Sequence, residues 1–519
     1  MHTELVAPAI SASVQSLLQI PIATSGNVHT HISPLDEREI CSLPLSDTAD
    51  VEKAFAQARA AQESWSRVPL RERISILRKF HDLLLDRQSE ILDLVQWENG
   101  KSRANALDEI LDVCQTVRYY THQAPKLLKP KRRRGAFPLV TVVREVQHPL
   151  GVIGVISPWN YPFTLAVSDF IPALLVGNTV VLKADLQTTL TALWAVSLLR
   201  EAGLPSDVVT VVVGEGADLG PDITRLADYV MFTGSTRAGK IVAQQAAARL
   251  VGSSMELGGK NSLIIGPHVK LSDAVEIAAR GAFANSGQLC IGTERICVHA
   301  SIAEEFLTAF SERVSKLTVG SHIGWGADMG VITHARQLET TERHIRNAVE
   351  QGARVLVGGV RLPEIGPRAF APTVLVDVPE SAEVCHSETF GPVCSVYVWH
   401  NDFDLVEFVN NTEYGLSAGI VSRDIAWAQN IATQLRVGTV NINEAFGSAY
   451  ASIDAPMGGM GNSGLGRRHG SGGLLKFAEP QTIARQRWMK LHPQWGMDDA
   501  GWARFTTFAM RLMKALGIK

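Results

Sequence analysis

Apolar residues recur every three to four positions over Asp50–Trp65, Leu70–Glu98 and Ala104–Thr121, with charged residues between them, so the first part of the chain is expected to be helical. The period then changes. Pro138–Gln147 alternates as a strand, long enough to pair beyond its own sheet. From Gly151 onward, the short β-branched runs Val152–Ile156, Thr179–Leu182, Val208–Val213 and Tyr229–Phe232 are separated by helical stretches at Phe163–Leu175, Thr188–Ala202 and Arg237–Leu250. This alternation predicts a parallel sheet covered on both faces, with ligands bound at the carboxyl ends of its strands. Asn160 and Gly234 each fall just after such a strand. A second α/β alternation begins near Leu263, with helices expected over Leu271–Asn285, Ile302–Leu317 and Thr333–Gln351 and strands over Val355–Val357, Thr373–Val376 and Val393–Tyr397. Glu479–Lys490 reads as extended and is expected to join Leu139–Val146 at a sheet edge. The amphipathic tail Trp502–Ile518 is expected to dock on the body or on a neighbouring subunit rather than lie on a membrane.

Length and charge narrow the classes. A chain of 519 residues divides into two or three packed units. Its 46% hydrophobic and 19% charged composition and net charge of −3 are those of an ordinary globular protein, with no general attraction for nucleic acid or anionic membranes. The basic run Lys126, Lys129, Lys131, Arg132, Arg133 and Arg134 lacks interleaved aromatics and lies beside Pro125 and Pro130, so it reads as a solvated loop. Six cysteines, none in a CxxC pair, imply a reducing compartment. Met1-His2-Thr3-Glu4 is not the start of a signal peptide, and prolines and polar residues interrupt the most apolar region, Gly151–Leu182. No integral membrane span and a cytoplasmic location are expected. The histidines show no metal-ligand spacing.

Two segments carry candidate chemistry. Cys290 follows small polar residues and glycines in Ala284-Asn-Ser-Gly-Gln-Leu-Cys290, and Glu256 stands between Met255 and Leu257, where a carboxylate is costly unless it is paired or reactive. Together they suggest a covalent thiol mechanism on a carbonyl substrate. Gly234-Ser-Thr-Arg-Ala-Gly239-Lys240-Ile241 nearly matches the phosphate-binding pattern GxxxxGK[ST], but Ile241 replaces the hydroxyl that would hold Mg²⁺, which disfavours a nucleotide hydrolase. The two glycines suit either a pyrophosphate at a helix start or an ordinary strand-to-helix turn. Lys183, ending a strand, suits a ribose hydroxyl, a phosphate or simple snorkelling.

In combination, Pro158-Trp159-Asn160-Tyr161-Pro162, Lys183, Phe232-Thr233-Gly234-Ser235, Glu256-Leu257-Gly258-Gly259-Lys260, Gly287-Gln288-Leu289-Cys290 and Glu388-Thr389-Phe390-Gly391-Pro392 resemble the aldehyde dehydrogenase superfamily from about Asp50 to about Gln486. With Ser157-Pro-Trp-Asn-Tyr-Pro162 and Met457–Gly461, the resemblance is closest to the NADP⁺-dependent succinate-semialdehyde branch, second paralogue type. It implies an α/β fold with a Rossmann-like cofactor domain (1–136 and 150–258), an α/β catalytic domain (259–470), a β-hairpin oligomerisation arm (137–149 and 471–492) and a C-terminal tail (493–519), assembled as a homodimer or homotetramer. It also implies oxidation of an aldehyde to an acid through a cysteine thiohemiacetal and thioester, succinate semialdehyde to succinate being the named reaction, with NADP⁺, or NAD⁺, and no metal. Cys290 would be the nucleophile, Glu256 the general base and Asn160 the oxyanion donor. Trp159, Asn160, Lys183, Ala184, Asp185, Leu186, Gly234, Ser235, Leu257, Glu388 and Phe390 would hold the cofactor.

Two departures from the family pattern matter. Leu186 stands where many members carry the glutamate that binds the 2′-hydroxyl, which opens the site to a 2′-phosphate. Ser168 and Ala284 stand where succinate-semialdehyde enzymes carry carboxylate-clamping arginines. Either another cation, Arg295 or Arg467, reaches the tunnel, or the substrate is a less charged aldehyde suited to Tyr161, Phe446 and Met457, such as an aliphatic or aromatic one. A homologue that has lost its chemistry is the remaining alternative.

Overall fold

The computed structural model describes residues 8–135, 137 and 140–518. Pro138 and Leu139 of the expected strand, and the Met1–Glu4 start, lie outside the described residues. Contacts divide the chain into Met1–Pro125 with Pro149–Phe477, and Lys126–His148 with Ala478–Lys519.

The larger unit holds a six-stranded sheet in the order Gly464–Leu465, Gly252–Glu256, Tyr229–Thr233, Val152–Ile156, Thr179–Lys183, Val209–Val212. Every neighbouring pair is parallel except the first. The chain runs outward from Val152–Ile156 through Thr179–Lys183 to Val209–Val212, then returns to the other side with Tyr229–Thr233. The divergence between Val152–Ile156 and Tyr229–Thr233 opens a crevice beyond their carboxyl ends. These strands are buried along their whole length, which is why they read as continuous apolar runs.

A second sheet, of seven strands, runs Arg354–Val357, Thr373–Val376, Val393–Trp399, Thr293–His299, Asn261–Ile265, Ser417–Val421, Thr439–Ile442, and only the first pairing is antiparallel. Four residues, Leu257–Lys260, carry the chain from the carboxyl end of Gly252–Glu256 to the amino end of Asn261–Ile265. That short passage brings the exit of one sheet to the entrance of the other.

Three expectations are corrected. The helix expected over Leu70–Glu98 is two, Leu70–Asp86 and Gln88–Asn99, broken at Arg87 (φ −110°, ψ 19°) although the apolar stripe continues. Phe163–Leu175 is also two helices, Pro162–Val167 and Ile171–Val176; Pro172 has no N–H to give a helix interior and starts a new one instead. The basic run is not wholly loop. Lys131–Arg134 pairs antiparallel with Thr141–Pro149, and Arg133 Nε donates to Glu145 Oε2 at 2.7 Å.

In the smaller unit Thr141–Pro149 is the centre of a three-stranded sheet between Ala478–Gln486 and Lys131–Arg134. Arg132, Arg133 and Arg134 keep the edge solvated. The tail forms a helix, Asp499–Ala515, capped by the Asp498 side chain, and no residue in it is buried. Among the described residues, no helix is long and apolar enough to cross a membrane.

Candidate active site

A groove of about 430 Å³ lies at the divergence of the first sheet. It brings together Trp159, Asn160, Asp185, Gly234, Ser235, Glu256, Leu257, Cys290, Glu388 and Phe390 from six separate stretches of sequence. Lys183, Ala184 and Leu186 do not line it. Lys183 is buried at its strand end and faces Asp185 and Glu215, and burial lowers its pKa. Leu186 is buried, while Asp185 accepts from the Gln187 N–H at 3.0 Å. His334, Arg336, Gln337 and Thr340 also line the groove.

Cys290 is presented by a loop of unusual backbone. Asn285 (φ 50°) and Ser286 (φ 55°) are left-handed non-glycine residues, and Gly287 follows at φ 71°. A Cβ on Gly287 would collide with the Gly391 carbonyl, so the loop must press bare backbone against that segment. Buried amides hold the turn: Asn285 Nδ2 donates to Asn160 O (2.9 Å) and Gln288 O (3.0 Å), and Asn261 Nδ2 donates to Cys290 O (2.7 Å). Asn160 Nδ2 donates one N–H to Gln288 O at 3.1 Å; an amide nitrogen carries two. Cys290 is partly buried, the other five cysteines are fully buried, and all six are free thiols.

Burial, then the nearby carboxylates Glu388 and Glu256, push the Cys290 thiol up to about 12, so it rests protonated. Burial also raises Glu256, to about 7, against the pull of Arg468, Lys476 and Arg467. Its Oε1 has no hydrogen-bond partner among the described residues. A buried, unpartnered carboxylate titrating near neutrality in the same groove as a thiol is equipped to accept a proton there. Arg468 in turn is held by Asp169, Nε to Oδ1 at 2.9 Å, with both side chains largely buried. Sequence reasoning missed this pair, although a lone Asp169 in an apolar stretch was a visible signal.

On the opposite wall, burial and then Glu294 raise Glu388 to about 8, and Glu388 Oε1 accepts from the Gly259 N–H at 2.9 Å. A Cβ on Gly258 would collide with that carboxylate. The rings of Trp159 and Phe390 meet edge to face at 5.5 Å. Ser235 caps the helix Thr236–Ala248, whose first turn opens on the groove; Lys240 points to solvent, away from any phosphate-binding role. Bare backbone, aromatic walls, a helix start and acceptors on both sides fit a dinucleotide.

Beyond Cys290 the surroundings become apolar. Tyr161, Leu165, Ala284, Leu289, Phe446 and Met457 belong to one buried cluster, against which Cys290 and Tyr450 pack. The polar groups behind it are acid-rich. Ser168 Oγ donates to Asp112 Oδ2 at 2.8 Å, and the Thr164 hydroxyl donates to the same oxygen. Lys101 stands 3.9 Å over the Tyr161 ring but is spent on Glu109 Oε1 (2.6 Å) and Asn160 O (2.8 Å). Arg280, over Phe446, pairs with Glu444 at 3.3 Å. Neither cation anticipated for the tunnel lines the groove: Arg295 donates to Phe408 O and Val409 O, and Arg467 to Gly459 O and Gly466 O.

Residues 22–483 match the aldehyde dehydrogenase family. A Mycolicibacterium smegmatis protein named putative succinate-semialdehyde dehydrogenase (NADP⁺) is 43% identical over 513 residues, covering 98% of this chain and 99% of its own. A Methylomonas protein named 4,4′-diapolycopene aldehyde oxidase is 35% identical over 469 residues, with 89% and 87% covered. The NAD⁺ complex of a Bacillus cereus aldehyde dehydrogenase superposes with a TM-score of 0.86 at 30% identity, covering 93% of this chain and 99% of that one. This chain belongs to the aldehyde dehydrogenase family and is an NAD(P)⁺-dependent oxidoreductase of aldehydes.

Proposed function

We propose that Cys290 is the nucleophile, Glu256 the general base and Asn160 the oxyanion donor, and that the preferred aldehyde is uncharged. The acid-rich shell behind the apolar wall carries the substrate reading. Lys101 and Arg280 are each engaged by a carboxylate, and Asp112 occupies the space beside Ser168. A substrate carboxylate entering there would be stripped of water beside Asp112, and the cation that acts on Asp112, Arg468, is already paired with Asp169.

In the proposed sequence the Cys290 proton passes to Glu256 as Sγ bonds to the aldehyde carbon and the carbonyl electron pair moves to oxygen. The second N–H of Asn160 and the backbone N–H of Cys290 receive that oxyanion; one such donor is worth about 3–4 kcal/mol. The bound dinucleotide supplies the acceptor for the hydride leaving this carbon. Cys290 then holds the acyl group as a thioester; Glu256 releases the thiol's proton to solvent, takes a proton from water as the hydroxide adds to the carbonyl, and returns it to Sγ as the C–S bond breaks. Trp159, Leu257 and Phe390 would wall the cofactor, Gly234 and Ser235 meet its pyrophosphate, and Glu388 accept from the nicotinamide-side ribose. Lys183 would reach the adenosine ribose, flanked by Ala184, Asp185 and Leu186.

Succinate semialdehyde is the second reading, favoured by the name of the 43% identical relative. The 35% identical relative, named for an aldehyde of a hydrocarbon, favours the first. Comparing kcat/KM for succinate semialdehyde, hexanal and benzaldehyde decides between them: the neutral aldehydes should lead by at least about tenfold, and a lead for succinate semialdehyde overturns the proposal. A homo-oligomer fits the exposed edge Ala478–Gln486, and a reducing cytoplasm fits six free thiols.

A further inference from the structure

The net charge of −3 conceals a strong segregation. Lys126–His148 and Ala478–Lys519 hold fourteen Lys and Arg against four Asp and Glu, a formal charge of +10, which leaves −13 for the rest of the chain. The same small unit contributes nine of the 24 exposed large apolar side chains among the described residues.

These two properties meet on the tail. On a helical projection of Asp499–Ala515, Trp502, Phe505, Phe508, Ala509, Leu512 and Met513 fall within one apolar arc. Arg504, Arg511 and Lys514 occupy the opposite side, and no acidic residue follows Asp499. At the helix start Trp495, Trp502 and Phe505 form a mutual cluster with centroids 5.6–6.0 Å apart. Just before it, the exposed Trp488 is flanked by exposed Arg487 and Lys490. The matched family region ends at residue 483, so the shared chemistry does not account for this segment.

We infer that this helix lies on the surface of an anionic lipid bilayer, its apolar arc in the acyl boundary and its cations among the headgroups. An apolar arc facing a polar side whose charges beyond the first turn are all basic, with tryptophans at one end, is the pattern of interfacial helices. A helix of 17 residues that is not apolar throughout lies on the bilayer rather than crossing it. A second copy is the poorer occupant. Outside this unit, among the described residues, no helix or strand contributes more than one exposed large apolar side chain to receive the arc.

The test is co-sedimentation of the full chain with phosphatidylcholine vesicles, with and without about 30% phosphatidylglycerol. Binding to the anionic vesicles should be at least about tenfold tighter and should fall in about 0.5 M salt. A W502S/F505S/L512S variant and an R504E/R511E/K514E variant should each lose it by at least about tenfold, while keeping wild-type turnover of a soluble aldehyde and wild-type mass by light scattering. Equal binding to both vesicle types overturns the inference, as does wild-type binding by both variants. A change of oligomeric mass in the variants, with no vesicle binding by the wild type, makes the helix a subunit contact and also overturns it.

Discussion

Glu256→Gln keeps the shape of the side chain and removes its capacity to take a proton. With the carboxyl raised to about 7, about one-tenth is ionised at pH 6 and about nine-tenths at pH 8, so wild-type turnover should climb about tenfold across that range. Loss of a positioned base costs about 10²–10⁴ in rate, or about 3–5 kcal/mol of barrier. In the variant the inflection near 7 should vanish. The residual acylation should rise about tenfold per pH unit with no plateau, because Cys290 must then ionise unaided and its thiol sits near 12. Stopped-flow absorbance of the reduced nicotinamide separates acylation from steady-state turnover. An E256Q enzyme that retains an inflection near pH 7, or that loses less than about tenfold at pH 8, would refute the assignment.

Arg468→Met removes the foremost opposing cation, so the turnover inflection should move above 7; it also strands Asp169, and thermal unfolding should report a loss of about 3–5 kcal/mol. Gly287→Ala demands a side chain at φ 71° against the Gly391 carbonyl; kcat should fall by about 10² through displacement of Cys290, while cofactor affinity, measured by fluorescence, changes little. NADP⁺ should support kcat/KM at least equal to NAD⁺, since Leu186 is buried and offers no carboxylate to repel a 2′-phosphate, and His334 and Arg336 line the same groove; a large NAD⁺ preference would contradict this.

The elements legible in the sequence are those whose own side chains set their environment. The strands Val152–Ile156 and Tyr229–Thr233 announced themselves because both faces are covered, leaving short runs without a charged residue that are rich in β-branched and aromatic side chains. Gly252–Glu256 did not: Gly-Ser-Ser-Met-Glu has no apolar run, and the segment is a strand because it pairs with Tyr229–Thr233 on one side and Gly464–Leu465 on the other. The break at Arg87 was invisible for the opposite reason, since the stripe passes through it unchanged. Cys290, Glu256 and Asn160 stood out as chemistry in short motifs, whereas Asp112 and Arg468 became readable only when segments more than fifty residues apart met in space.

Two carboxylates in one groove, both raised by burial, need separate work, and their hydrogen bonds divide it. Glu388 Oε1 is anchored by the Gly259 N–H, its main electrostatic neighbour is another acid, Glu294, and its pKa of about 8 leaves it largely protonated at neutrality. A fixed carboxylic acid can both donate and accept, which suits a pair of ribose hydroxyls. Glu256 instead has a buried oxygen without a partner and faces three cations, which hold it lower, near 7. It therefore changes protonation state at the pH where a base is wanted, and no hydrogen bond holds that oxygen in one place. The proposed division, Glu256 as the base and Glu388 as the holder, is supported by this difference in hydrogen bonding, a free oxygen on one acid and an anchored one on the other.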